Sequence, residues 1–355
     1  MILKNNRGVA LLITISVVAI LFAVVLEMNR KMRSKIISTS LARNRFMLSQ
    51  MAISGVNAAM LLLLKDKDEP TVDSVQEDWA NPEELATLVE RLSFDDGAIT
   101  LKISDELAKI QINSLVQFPE GKNFQDPQRN MLHRFLQMLL ASNELEDLDI
   151  EPAAILNCIK DWLDFGDDDL VTDISGAESL YYQGLEPPYP CKNGTIKHIN
   201  ELNYIKNIGE VLRNLPEDQI DLADYITPYG MSVESSGKYT FSGKININTA
   251  SPQIISVLLP MEYAFLAQDI ADYRLEKSDD NYVNDLTKNT WYKDVPGCSD
   301  VTIDPEILTL SSNLFRIESR ATFLKMNVHA TAVVERIQKN PNDKWNCRLL
   351  SLQLE

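Results

Sequence analysis

Residues 9–26 read VALLITISVVAILFAVVL, eighteen residues without a charge, and no proline occurs between Val9 and Lys65. The first glycine after Gly8 is Gly55. An apolar run of this length has one satisfactory backbone, an α-helix, because lipid offers no partner to an open N–H or C=O. As a helix it measures about 27 Å, close to the hydrocarbon thickness of a bilayer. The same helix should continue to Lys65, its first half in lipid and its second half projecting outward. A polar leader, MILKNNRG, with Lys4 and Arg7, precedes the run. A secretory signal is cut after its apolar stretch, which discards it. Here the cut the residues suggest falls after Gly8, before the stretch, so Val9 would become the new N-terminus and the anchor would be kept.

Charge divides the chain. The formal net charge is −17, yet residues 1–65 hold nine Lys or Arg against the single acid Glu27, a net +8. The other 290 residues hold 25 basic and 50 acidic side chains, a net −25. A basic stem therefore carries an acidic head, which phosphate backbones would be repelled by, so a general nucleic-acid role is disfavoured. Lys4 and Arg7 flank one end of the apolar run, and Arg30, Lys31, Arg33 and Lys35 flank the other. Taken alone the charge count favours the opposite orientation; the leader is what places the head outside the cytoplasm.

The outward half of the helix is amphipathic. Met28, Met32, Ile36, Leu41, Phe46, Leu48, Met51, Ile53, Val56 and Met60 recur at near-helical spacing, a stripe expected to pack on the head. KDKDEPTVDS at 65–74 breaks it, and Asn81-Pro82 opens a short acidic helix to about Leu92. Residues 98–104 alternate as a strand, with 109–115 continuing in extended form. A helix-rich region follows from about 128 to 222, with its best helices at 128–140, 151–163 and 199–205. A second extended entry at 239–248 leads to helix at 252–275. Residues 314–319, 328–337 and 347–354 read as antiparallel strands that resume the sheet begun near Ala98.

KIQINSLV at Lys109 and KININTAS at Lys244 share Lys-Ile-x-Ile-Asn, read as a strand end whose Asn or Thr caps the next helix. ININTASPQIISVLLP also resembles the opening of helix-hairpin-helix modules. Those need a glycine-bearing hairpin, and here Pro260-Met261-Glu262-Tyr263 follows.

Four cysteines, Cys158, Cys191, Cys298 and Cys347, allow two disulfides in three pairings. Cys298 with Cys347 is favoured because both fall in the C-terminal part, while Cys158, on the apolar AAILNCIKDWL, reads as a buried thiol. Without a CxxC, and with three histidines, zinc is disfavoured. The densest chemical signal is DWLDFGDDDLVTDISGAESLYY, residues 161–182, with six aspartates and Glu178 inside eighteen residues. So many carboxylates repel one another unless they are protonated, solvated or bridged by a cation. Oxygen-only ligands favour calcium. Asp167, Asp169, Asp173 and Glu178 match positions 1, 3, 7 and 12 of a calcium-hand loop, but Val171 and Thr172 occupy positions 5 and 6, so this is a different loop. Trp162, Phe165, Tyr181, Tyr182 and Tyr189 should fold it against a core. There is no P-loop, nucleophile elbow or catalytic triad, and an enzyme is not expected.

Taken together, Arg7-Gly8-Val9-Ala10-Leu11-Leu12, Trp162-Leu163-Asp164 with Gly176-Ala177-Glu178 and Tyr181-Tyr182, Glu186-Pro187-Pro188-Tyr189, residues 199–208, the ININTA entry and the terminal strands resemble protein K of the type II secretion system, a large minor pseudopilin. The resemblance implies an α+β, type IV pilin-like fold: a long N-terminal helix on an antiparallel sheet, with a large helical, sterile-alpha-motif-like domain inserted after the first strand. It implies calcium in the insert, with Asp164, Asp167 and Glu178 as ligands and Asp168 and Asp169 beside them; Phe165-Gly166 departs from the family's tighter Asp-x-Asp-Asp. Gly8 and Val9 become the prepilin-peptidase site. Most pilin-like chains carry glutamate at the fifth mature position to meet a neighbour's N-terminal amine within lipid; this chain has Ile13, as suits a subunit with nothing above it.

The expected divisions are leader 1–8, spanning helix 9–26, outward helix 27–65, first pilin-like part 66–115, inserted helical domain 116–240, second helical segment 241–300 and terminal strands 301–355. The expected role is a non-enzymatic subunit at the tip of a short pseudopilus, anchored once in the inner membrane with its bulk in the periplasm. It would nucleate assembly and limit filament length together with I-type and J-type minor pseudopilins, without nucleic acid. The alternatives are a tip module that binds secreted proteins, or a DNA-uptake or adhesive pilin component.

Overall fold

The computed structural model describes residues 7–66, 72–92, 94–141, 145, 148–166, 171–215, 221–233, 238–338 and 344–355. Helix α1 (Arg7–Asp66) runs unbroken for 60 residues, about 90 Å. Its apolar part has mean hydropathy 3.1 over an 18-residue window, none of it buried, so it is long and apolar enough to cross a membrane once.

From Gly8 to Arg43 every side chain of α1 is exposed, and Leu48 is the first buried one. The apolar stripe foreseen on the outward half therefore splits. Leu48, Met51 and Val56 are buried, whereas Met28, Met32, Ile36, Leu41 and Phe46 stay exposed. The reason is length: the sheet that receives α1 covers only its last five turns.

That sheet has the order β1-β10-β11-β12, all antiparallel. Its strands are β1 (Ala98–Asp105), β10 (Leu314–Phe323), β11 (Met326–Ile337) and β12 (Asn346–Leu354). Ile99, Ile103, Phe315, Ile317, Ala321, Val328, Ala330, Ala332 and Val334 line the face that packs on α1. Small Ala330 and Ala332 on β11 let the helix lie close. Helix α2 (Pro82–Glu90), capped by the Asn81 side chain on the Glu83 amide, adds Leu85 to this core.

Between β1 and β10 the chain builds a second core, running from Ile110 to Leu310. Its helices are α3 (Asp126–Leu140), α4 (Pro152–Leu163), α5 (Ser179–Gln183), α6 (Ile208–Asn214), α7 (Pro252–Leu258) and α8 (Ala267–Tyr273). Short pairs fill the rest: β2 (Ile110–Gln111) with β3 (Ile226–Thr227), β4 (Met231–Val233) with β5 (Tyr239–Phe241), β6 (Ile245–Asn246) with β9 (Leu308–Thr309), and β7 (Lys277–Ser278) with β8 (Asn281–Tyr282). Residues 116–240 and 241–300, divided in the sequence, share this one core.

Three extended or helical expectations are corrected. Of 109–115 only Ile110–Gln111 is strand, after which Ile112–Leu115 coils into a buried 3-10 turn. Asn113 holds that turn, donating to the Ile196 and Pro228 carbonyls and accepting from the Ile196 amide, each at 2.8 Å. The second entry, 239–248, divides into β5 and β6 around Gly243, whose φ is +63°. Helix 252–275 is broken at Pro260 into α7, a 3-10 turn (Met261–Leu266) and α8. The capping role given to the ININTA asparagines also falls elsewhere: Ser251 caps α7, while buried Asn246 and Asn248 hold the strand to Asp73, Asp105, Leu286, Leu310 and Trp291.

Two buried ionic ties join the cores. Glu106 accepts from Lys109 at 2.8 Å, from Arg316 on β10 at 2.5 Å and from Thr227 at 2.5 Å. Burial pushes its carboxyl up, but the two cations outweigh that and the net shift is downward. Arg336 on β11 pairs with Asp73 and also donates to the Leu63 and Ser312 carbonyls, clamping the end of α1. All four cysteines are free. The favoured Cys298–Cys347 pairing does not form because Cys298 belongs to the insert core, whereas the Cys347 thiol faces the Met60 carbonyl of α1.

Candidate metal centre

Helix α4 ends in the acidic segment, and its geometry selects which acids turn inward. Asp161 and Asp164 lie three residues apart, about one turn, so both carboxylates leave the same side of the helix end. Glu178 immediately precedes α5. Oxygens from these three residues lie within 4.8 Å of one another, although they are 0 %, 7 % and 4 % exposed. Buried like charges at such separations repel by about 4 kcal/mol per pair at an effective dielectric near 20.

The loop closes around Asp161. Its carboxylate accepts from the Thr172 amide at 3.1 Å and the Ala177 amide at 2.8 Å. A Cβ at Gly176 would stand 2.1 Å from Asp161 Oδ2, which is why the return strand of the loop needs glycine there. Lys160 Nζ donates to Thr172 Oγ1 at 2.7 Å and lies 3.9 Å from Asp164 Oδ2. Lys206 Nζ approaches the Ser175 and Gly176 carbonyls at 3.5 and 3.4 Å. Burial raises the Asp161 carboxyl, with hydrogen bonds from Thr172 and Ala177 and the Lys160 charge pulling the other way. Trp162 packs edge-on against Tyr182, and Tyr182 against Tyr189, with ring centroids 5.1 and 5.5 Å apart. Those rings seat the loop on the core, although Phe165 and Tyr181 remain partly exposed.

The donors fit a hard divalent cation. Ligand oxygens 2.3–2.6 Å from one calcium are separated by at most about 5 Å, the span these carboxylates show. Magnesium keeps several waters and strict octahedral geometry, which a buried group of carboxylates does not favour. Cys158 and Cys191 flank the site, but burial pushes both thiols up to about 12, so neither offers a thiolate. Of the residues expected as ligands, Asp164 and Glu178 are brought together. Asp167, Asp168 and Asp169 lie outside the described residues. Asp161 was not foreseen; its signal was the i, i+3 spacing to Asp164 on an amphipathic helix.

A long helix apolar enough to cross a membrane, laid on an antiparallel sheet, with a helical insert between that sheet's first two strands in the chain and a buried acid cluster within the insert, defines a pilin-like fold. The family model for protein K of the type II secretion system matches residues 108–215, the stretch that contains all three acids. Two curated relatives named type II secretion system protein K are 24 % identical over 73 % of this chain and 71 % of the relative from Aeromonas hydrophila, and 22 % identical over 73 % and 72 % for that from Klebsiella pneumoniae. The crystal structure of a GspK–GspI–GspJ complex from the Type 2 secretion system of enterotoxigenic Escherichia coli contains a similar fold. The TM-score is 0.61 at 16 % identity, covering 89 % of this chain and 99 % of the other. The chain is thus similar to protein K of type II secretion systems, by the family's own pattern over residues 108–215 and by identity to its named relatives over 73 % of its length.

Proposed function

We propose that this chain is the minor pseudopilin at the tip of the pseudopilus, and that it nucleates assembly and limits filament length during export across the outer membrane. The observation that carries this is the uncovered stem. Thirty-six consecutive residues, 8–43, are exposed, and only the first half of that length can be covered by lipid. The second half presents Met32, Ile36, Leu41 and Phe46, the surface a bundle of neighbouring stems would bury. The relative crystallised with GspI and GspJ supports I-type and J-type minor pseudopilins as those neighbours.

Prepilin peptidase would cut after Gly8, leaving Val9 at the N-terminus for methylation. The anchor would lie in the inner membrane, with the head in the periplasm. Ile13, apolar and exposed within the span, requires no amine from a subunit above it, while the Val9 amine remains for the subunit beneath. A carboxylate there without such a partner would cost several kcal/mol. Calcium, held by Asp161, Asp164 and Glu178 with Asp167, Asp168 and Asp169 close in sequence, would cross-link α4 to the start of α5. Its role is structural; the chain works as an assembly component, not as an enzyme.

Mixing the detergent-extracted full chain with the I-type and J-type minor pseudopilins of the same system tests the proposal. A complex holding one copy of each, which major pseudopilin extends at one end only, is expected. A chain that stays monomeric, or a complex that grows at both ends, contradicts it.

A further inference from the structure

The stem carries a charge pattern that spanning a membrane does not require. Just beyond the apolar run, α1 presents Arg30, Lys31, Arg33 and Lys35, all exposed, against one acid, Glu27, whose carboxylate lies 3.8 Å from the Lys31 ammonium. At 1.5 Å per residue these four positions fall about 6–14 Å past Leu26. The headgroup layer is about 5–8 Å deep on each side of the hydrocarbon. Lysine and arginine reach back along a helix by extending their apolar stems, so all four charges arrive at phosphate level. Steps of 100° distribute them around the helix. On one face Ile20, Val24, Met28, Lys31 and Lys35 follow one another, apolar contact for an acyl chain running directly into ammonium groups.

We propose that residues 30–35 form a collar that binds the headgroups of anionic phospholipids and fixes the depth of α1 in the bilayer. The proposal rests on the single-pass reading of α1 and holds whichever way the helix faces. The acidic head does not compete for these charges. Leu48, the first buried residue of α1, lies 18 residues past Arg30 and 13 past Lys35, about 20–27 Å along the helix, or about two and a half to three and a half Debye lengths at physiological salt. The head of any neighbour built on the same plan stands equally far off, which favours lipid over an acidic protein as the partner.

The test reconstitutes the full chain in phosphatidylcholine vesicles and compares how spin-labelled phosphatidylglycerol and spin-labelled phosphatidylcholine associate with it. Phosphatidylglycerol should be enriched at the protein by about threefold or more. The enrichment should disappear in the combined variant Arg30→Gln, Lys31→Gln, Arg33→Gln, Lys35→Gln and persist in Arg43→Gln, Arg45→Gln, two exposed basic positions farther along the same helix. Equal association of the two lipids, or enrichment that survives the fourfold variant, overturns the collar. Should neither lipid be motionally restricted at all, the single-pass reading itself fails, and the collar with it.

Discussion

Asp105 illustrates how a single buried residue couples the two cores to pH. It closes β1, accepting from the Leu107 amide at 2.7 Å, from Asn246 at 2.8 Å and from Thr249 at 2.7 Å. Burial lifts its carboxyl from the ordinary 3.8 to about 6, against the pull of Ser312, Thr249, Asn246 and the Leu107 amide. A protonated Asp105 has a ready acceptor in Thr249, whose own hydroxyl can turn to the Asn246 carbonyl at 3.2 Å. Because the folded state holds this proton to higher pH than the unfolded chain, its contribution to stability falls as pH rises from about 4 to about 6, by about 3 kcal/mol. Urea unfolding of wild type and Asp105→Asn should therefore diverge across that window; parallel pH profiles would show that the carboxyl titrates normally.

Calcium makes the second residue-scale prediction. At a hundredfold excess over its dissociation constant the ion should stabilise the chain by about 2.7 kcal/mol. Glu178→Gln should remove most of the resulting rise in Tm, whereas Asp173→Asn, on the exposed part of the loop, should keep it. Identical shifts in both variants would place the ion elsewhere. The Trp-Leu-Asp and Gly-Ala-Glu signatures made Asp164 and Glu178 legible in the sequence. Asp161 was harder to see because its carboxylate is drawn inward by amides of Thr172 and Ala177, contacts that exist only once the loop has closed.

At the scale of elements, α1 meets its sheet through Gly55. A Cβ there would stand 2.3 Å from Ser319 Oγ, 3.0 Å from Leu101 Cδ2 and 3.3 Å from Ile99 Cγ2. Gly55→Leu should lift the helix from β1 and β10 and cost about 1–3 kcal/mol or more, while Asn57→Leu, on the exposed side, should leave the denaturation midpoint nearly unchanged. Equal effects would mean that the helix does not dock along this face. The long helix, β1 and the terminal strands were legible because apolar period and length specify them. The shorter elements were not. Pro260 divides a continuous helical pattern, and Asn113 curls an extended one through bonds to carbonyls 83 and 115 residues away. The stem stripe was misread for a different reason: periodicity marks a face that will be buried without saying which molecule buries it.

Over the whole molecule, a basic stem of net +8 is set apart from a head of net −25. The insert core, from Ile110 to Leu310, is joined to the helix-and-sheet core by Glu106 with Lys109 and Arg316, and by Asp73 with Arg336. A head so joined should move with the docked end of α1 as one body. All of this depends on α1 being kept as a processed anchor rather than discarded or left with its leader. The intact mass of the protein extracted from membranes decides that directly. A chain beginning at Val9 with a methylated amine is the expected result; a chain that retains Met1, or one that begins beyond Leu26, would contradict it.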